Sequence, residues 1–192
     1  MPIRSARRPV SAAAMSIPDR HASPENVAAG ARTFFVTSST WGRRHLLQSE
    51  RSAPLFIRVL YEYRAQRRYR LHEFVVMPDH FHLLITTGAD TTIERAVQFV
   101  KGGFAFRAGR ELGMRAPVWQ KGFSDARISD AVALARARDY IHRNLVARAL
   151  ATSPEAYPYS SAHHSSAHPG FEFDPPPPRL KPGHFTGSLR HG

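Results

Sequence analysis

The sequence predicts an α/β domain of the α+β kind, a largely antiparallel sheet layered against helices. Three observations carry that prediction. Two apolar runs, 71–77 and 81–86, are separated by only Pro78-Asp79-His80, which reads as a hairpin and hence an antiparallel central pair. Segments with helical apolar spacing stand before and after that hairpin. The chain has 192 residues, 42% of them hydrophobic, enough for one core and too few for two of ordinary size.

Taken in order, Thr33-Phe34-Phe35-Val36-Thr37-Ser38 is aromatic and β-branched and reads as a first strand. Leu55, Val59 and Tyr63, with Phe56 and Leu60 beside them, give helical spacing over about 50–67. The hairpin supplies the next two strands. Thr92 then stands where a cap is needed for a helix carrying Ile93, Ala96, Val97, Val100 and Phe104. A loop with Pro117 and Trp119 leads to a short edge strand around 126–128, and Ser129 or Asp130 caps a last helix to about Ala149. Pro154 and Pro158 end the regular structure. The order β-α-β-β-α-β-α matches a ferredoxin-like antiparallel sheet with helices on one face. Residues 1–30 lack an apolar period and are expected to form a disordered basic arm. From 163 to 192, with Pro175-Pro176-Pro177-Pro178, a flexible Pro-rich tail is expected, leaving 31–162 as the working domain.

Composition narrows the function. Lys+Arg 27 against Asp+Glu 15 gives a net charge of +12, and only Lys101, Lys121 and Lys181 are lysines. Arginine's planar fork suits bidentate phosphate contact, so a polyanionic partner such as nucleic acid is favoured. The absence of cysteine excludes a disulfide scaffold, a thiol nucleophile and thiolate metal sites. No run approaches the roughly 18 apolar residues of a membrane span, and no secretory signal pattern is present, so a cytoplasmic protein is expected.

His80-Phe81-His82 opens the second hairpin strand. Residues two apart share a strand face, so both imidazoles project one way and can hold a divalent metal, which acts as a Lewis acid on a phosphate oxygen. Taken alone, two of eleven histidines on a strand also fit a polar face without a metal. In the last helix Tyr140 and Asn144 are four apart and neighbours on one side, off the stripe formed by Leu134, Ala137, Ile141 and Leu145. Arg136 and Arg143 flank the tyrosine. A phenol, with a reference pKa of about 10, needs nearby cations to act as a nucleophile near neutral pH. Asn144 offers an amide oxygen as a third ligand. A tyrosine packed at the core boundary is the competing reading.

These residues fall in a familiar pattern. Val75-Val76-Met77-Pro78-Asp79-His80-Phe81-His82-Leu83-Leu84 resembles the His-hydrophobic-His motif of single-tyrosine HUH transposases, and within them the REP-associated tyrosine transposases. Val118-Trp119-Gln120-Lys121-Gly122-Phe123, Asp139-Tyr140-Ile141-His142-Arg143-Asn144 and Tyr157-Pro158-Tyr159-Ser160-Ser161 follow in the expected order. The resemblance spans about 31–162 and implies an HUH nuclease type of fold. It implies a transposase that cuts and rejoins single-stranded DNA carrying hairpin, REP-like repeats, with Mg2+ or Mn2+ as cofactor. His80, His82 and Asn144 would be the metal ligands and Tyr140 the nucleophile, leaving a 5′-phosphotyrosine link and a free 3′-hydroxyl. Work on the bacterial nucleoid, as monomer or homodimer, follows from the same resemblance. Two departures bear on fine geometry, substrate choice and activity. Ser124-Asp125-Ala126 stands where relatives have an aromatic, an Asp and a His, and Leu145 follows Asn144 where relatives have proline.

Arg64, Arg67, Arg68 and Arg70 are expected to contact the DNA backbone outside the site, with Tyr69 among them stacking on an unpaired base or else filling the sheet edge. Trp119 is expected to anchor its loop to the core. Two other functions remain compatible with the sequence, a DNA-binding protein that no longer cuts and a hydrolytic metal phosphodiesterase.

Overall fold

A computed structural model describes residues 30–167 and Asp174. Strands β1 (Arg32–Ser39), β2 (Arg70–Met77), β3 (His80–Thr87) and β4 (Ser124–Ile128) form one sheet in the order β2-β3-β1-β4, every pair antiparallel. Helices α1 (Ser52–Ala65) and α2 (Ile93–Leu112) make the two crossovers, α3 (Ala131–Ala147) follows β4, and α4 (Ser161–Ala167) closes the described chain. The ferredoxin-like order is therefore present. Thr92 caps α2 by accepting from the Arg95 N–H at 3.2 Å, and Asp130 caps α3 by accepting from Ala133 at 2.8 Å. Gly113 ends α2 at φ 65, a left-handed turn that glycine takes without penalty.

Helices cover both faces of the sheet, not one. Phe74, Val76, Phe81, Leu83 and Ile85 pack with α1 and α2 in the larger core, where Phe56 lies 4.9 Å from Phe81 and 5.4 Å from Phe104 between ring centroids. Val75, Met77, Leu84 and Ile128 face the other way, onto Ala137, Ile141 and Leu145 of α3. The physical reason is visible in Phe74-Val75-Val76-Met77 and Leu83-Leu84-Ile85: strands buried on both sides present successive apolar residues rather than alternating them with polar ones. A bulge between Leu71 and Glu73 resets the pleat, so Leu71 and Phe74 both reach the larger core.

Contacts with the body of the fold continue past the expected domain end at 162. Ser161 and His164 of α4 bind the body of the fold. The Ser161 hydroxyl donates to the Phe74 carbonyl at 3.1 Å, and the Tyr61 hydroxyl meets His164 Nδ1 at 3.0 Å. Asp174 exchanges hydrogen bonds with Leu71, backbone N to carbonyl at 3.0 Å and Leu71 N–H to Oδ2 at 2.8 Å. The expected arm, apart from Gly30, and the proline run lie outside the described residues.

Helices α1 and α2 approach closely at Gly103, where a Cβ would stand 2.6 Å from Tyr63 Cε2, while Gly102 next to it faces open space. Tyr63 is itself stacked on Phe99 at 5.2 Å. Gly102→Ala is expected to raise stability by about 0.5–1 kcal/mol, the usual helix-interior gain. Gly103→Ala is expected to forfeit that gain by pushing the Tyr63 ring off Phe99. Paired thermal melts compare the two, and equal shifts would refute the close-packing account.

Candidate active site

The register of the sheet places the two histidines side by side. His80 lies opposite Ser39 and Met77, and His82 opposite Thr37 and Val75. Alternation turns Phe81 and Leu83 into the larger core and the imidazoles toward α3, with ring centroids 4.9 Å apart. Each ring is held at Nδ1. His80 Nδ1 donates to Asp79 Oδ1 at 2.5 Å, and His82 Nδ1 donates to the Thr37 hydroxyl at 2.7 Å. Such partners fix tautomer and orientation and leave Nε2 with its lone pair.

Helix α3 brings the other two residues to this pair. Ala137, Ile141 and Leu145 are buried against the sheet, so Tyr140 and Asn144 sit on the flank of the helix. The Asn144 amide donates to His82 Nε2 at 2.8 Å, while its Oδ1 accepts from Arg148 Nε at 3.2 Å. Tyr140 is 53% exposed, with its ring edge-on to His82 at 5.2 Å and to Phe35 at 5.6 Å. Phe35 in turn stacks on His82 at 5.4 Å. Arg136, Asp139, Tyr140, Arg143 and Asn144 line a shallow open groove. Arg143 makes an exposed pair with Asp139 at 2.8 Å, a contact weak enough to yield to a phosphate.

The electrostatics favour neutral imidazoles. Burial pushes His80 below the ordinary histidine value, against the raising influence of Asp79. Burial, with His80, Arg148 and Arg43 adding to it, pushes His82 down to about 3. Two neutral imidazoles and an amide suit a divalent cation: the His82 lone pair held by the amide N–H is one a cation would take, and exchanging the two ends of the amide presents Oδ1 instead. Among the described residues no group of three or more His, Asp or Glu side chains forms a ready cage, and the Asn144 amide is the further donor that stands against the His82 ring.

The same shifts set a pH dependence for the metal-free protein. His82 has a folded pKa near 3 and an unfolded one of about 6.5, so between them the unfolded state binds the extra proton and stability falls as pH drops. His82 alone is expected to cost about 2 kcal/mol by pH 5. Urea unfolding with a chelator present, at pH 7 and pH 5, should show that loss in wild type and less of it in His82→Asn. An equal loss in both would refute the assignment.

The remaining sequence-derived residues divide. Arg64, Arg67 and Arg70 surround a cavity at the far end of the sheet, about 17 Å along β2 from Val75, the partner of His82. Arg64 is paired with Asp174 at 2.9 Å, and Arg68 lies over the Phe99 ring at 5.0 Å. Tyr69 is not available for base stacking: it is 3% exposed in the larger core and its hydroxyl donates to the Leu60 carbonyl at 2.9 Å. Trp119 does anchor its loop, packing on Phe56, Phe81 and Phe104 and donating Nε1–H to the Lys101 carbonyl at 2.8 Å. Both departures in β4 fall on the site's own face, Ser124 opposite Thr37 and Ala126 opposite Phe35. Sequence reasoning missed Thr37, Asp79, Arg43 and Arg148. Asp79 adjoins His80 and was legible as its partner, whereas nothing local in the sequence pairs Thr37 with His82.

Comparison with known proteins bears on the fold and the family. A solved structure described as the REP-associated tyrosine transposase bound to a REP hairpin superposes with a TM-score of 0.64 at 20% identity, covering 93% of this chain and 95% of that one. A Deinococcus radiodurans protein described as a transposase aligns with a TM-score of 0.47 at 22% identity, covering 59% of this chain and 91% of that one. No curated protein matches the chain. The family model for IS200-like transposases matches residues 34–144, from the third residue of β1 to the amide that meets His82. With more than half its length so matched, and with the whole histidine strand and both Tyr140 and Asn144 inside the match, the chain belongs to the IS200-like transposase family.

Proposed function

We propose that this protein is a metal-dependent endonuclease and strand transferase for single-stranded and hairpin DNA, working through a 5′-phosphotyrosine link at Tyr140. The observation that carries the reading is the meeting of an exposed phenol with two buried, neutral imidazoles: a tyrosine serving only as packing would not be 53% exposed beside them. In this reading His80, His82 and Asn144 hold Mg2+ or Mn2+, with Asp79 and Thr37 orienting the two rings. When bound, the metal supplies Lewis-acid stabilisation of charge on the scissile phosphate.

The protein's own groups then do the following. The Tyr140 oxygen attacks phosphorus as the bond to the 3′ oxygen breaks; the phenol gives up a proton and the departing oxygen gains one. A 3′-hydroxyl, that of the cut strand or of a second one, can attack the phosphotyrosine phosphorus as the bond to the Tyr140 oxygen breaks and the phenol regains its proton, so rejoining needs no outside energy source. Arg136 and Arg143 neutralise phosphates along the groove, and Arg64, Arg67, Arg68 and Arg70 hold flanking DNA at the sheet's far end. The REP hairpin bound by the structural neighbour supports hairpin DNA as the substrate class.

The open face at Ser124 and Ala126 favours a second reading, a DNA-binding protein that keeps the fold and no longer cuts. End-labelled oligonucleotides carrying hairpin repeats, mixed with protein and Mn2+ and run on a denaturing gel, separate the readings. A DNA-linked protein band, absent with a chelator, is the expected result. Tight binding without any band would favour the second reading, and cleaved DNA without a band would favour hydrolysis by water.

A further inference from the structure

The end of β1 nearest the imidazoles carries an exposed tryptophan that the reaction above does not use. Trp41 is 42% exposed and lies two residues beyond Ser39, the strand partner of His80. Its backbone is pinned on both sides. Thr40 N–H donates to the Asp79 carbonyl and Trp41 N–H to the Val118 carbonyl, both at 2.9 Å. Arg44 ties the turn down again, giving Nε–H to the Trp41 carbonyl at 3.1 Å and a terminal N–H to the Pro117 carbonyl at 2.6 Å. Between them Gly42 and Arg43 both take positive φ, 60 and 55, a conformation an arginine adopts only where its surroundings enforce it.

The Arg43 side chain is 58% exposed and reaches Asp79 Oδ2 at 3.3 Å. The same carboxylate holds His80 Nδ1 at 2.5 Å, so the guanidinium stands one carboxylate away from that imidazole. A rigid turn thus carries an exposed indole and a guanidinium at the end of β1 next to His80. Single exposed apolar side chains are ordinary on protein surfaces. This one differs in its place at the site's edge, in its fixed backbone and in its adjacent cations, the combination by which proteins hold single-stranded nucleic acid.

We propose that Trp41 is a stacking platform for an unpaired base of the strand entering the site, with Arg43 contacting the phosphate beside that base. The proposal rests on the reading of this protein as acting on single-stranded DNA and adds the path the strand takes. It places the strand across the end of β1, on the side of the sheet away from the Arg64–Arg70 cluster.

The chain has two tryptophans, and the other, Trp119, is packed among three phenylalanines. Intrinsic emission titrated with oligothymidylate, with a chelator present to prevent cutting, therefore reports on Trp41. Quenching is expected in wild type. In Trp41→Phe the quenching should vanish while Kd, read by anisotropy of a labelled oligothymidylate, stays within about twofold, because a phenyl ring still stacks. Trp41→Ala should raise Kd about tenfold. Wild type that binds without quenching, or an alanine variant that binds as wild type does, overturns this proposal alone. Failure of wild type to bind overturns it together with the single-strand reading. An emission change that follows protein concentration without DNA assigns the face to a second copy of the chain and also overturns it.

Discussion

Tyr140→Phe is expected to abolish the covalent DNA–protein product and to lower cleavage by at least about 10³-fold, the scale seen when a nucleophile is removed. The substitution takes away one oxygen and leaves the ring. Contacts of that ring with His82 at 5.2 Å and Phe35 at 5.6 Å remain, so the groove keeps its shape. No hydrogen bond of the fold depends on the hydroxyl among the contacts that position α3, which run through Ile141, Leu145 and Glu73. Binding to a hairpin oligonucleotide should therefore stay within about twofold of wild type while single-turnover cutting collapses. Persisting cleavage in the phenylalanine variant would mean that water is the attacking group and that Tyr140 only lines the groove.

The sequence made the element order and the principal cluster legible because both depend on local spacing. The hairpin follows from Pro78-Asp79 between two apolar runs, and Tyr140 with Asn144 follows from four-residue helical spacing. Which side of the sheet α3 takes is a long-range matter. Its signal lay in Phe74-Val75-Val76-Met77 of β2, which contains residues for both faces, yet such a run equally suits one deep core. Tyr69 was ambiguous for a related reason. It sits among four arginines, and only the return of β2 under α1 brings its hydroxyl to Leu60. Thr37 and His82 are 45 residues apart, so their hydrogen bond exists only through the β1–β3 register. Ser161 looked like the end of the domain because prolines precede it. Its partner, Glu73, lies 88 residues earlier inside an apolar run, where a lone carboxylate gives no hint of what will satisfy it.

That carboxylate sets the second large expectation. Glu73→Ala should lower unfolding stability by about 3 kcal/mol in urea titrations, the low end of the range for breaking a buried ion pair. Glu73 is nearly inaccessible and accepts from Arg138 Nε at 2.8 Å, from His142 Nε2 at 3.3 Å and from the Ser161 hydroxyl at 2.5 Å. It therefore joins β2 to two successive turns of α3 and to α4. The low end applies because Arg138 and His142 both reach solvent and can rehydrate when the carboxylate is gone, and the single Ser161 hydroxyl proton can then turn wholly to the Phe74 carbonyl. Burial alone would raise the Glu73 pKa, but hydrogen bonds from His142 and Ser161 and the charge of Arg138 outweigh it and hold the group below the ordinary glutamate value. A carboxylate depressed in the folded state contributes stability above its unfolded pKa of about 4.3, and that contribution is lost as pH falls through the folded value. Glu73→Gln should accordingly lose less stability than alanine at pH 7 and should lack this part of the acid sensitivity. Because Arg138 and His142 lie on either side of Tyr140 along α3, the alanine variant should also form the covalent product more slowly at saturating DNA, with Kd little changed. If Glu73→Ala proved as stable as wild type, the docking of α3 would rest on Ala137, Ile141 and Leu145 alone, and the nucleophile's position would be set by apolar packing.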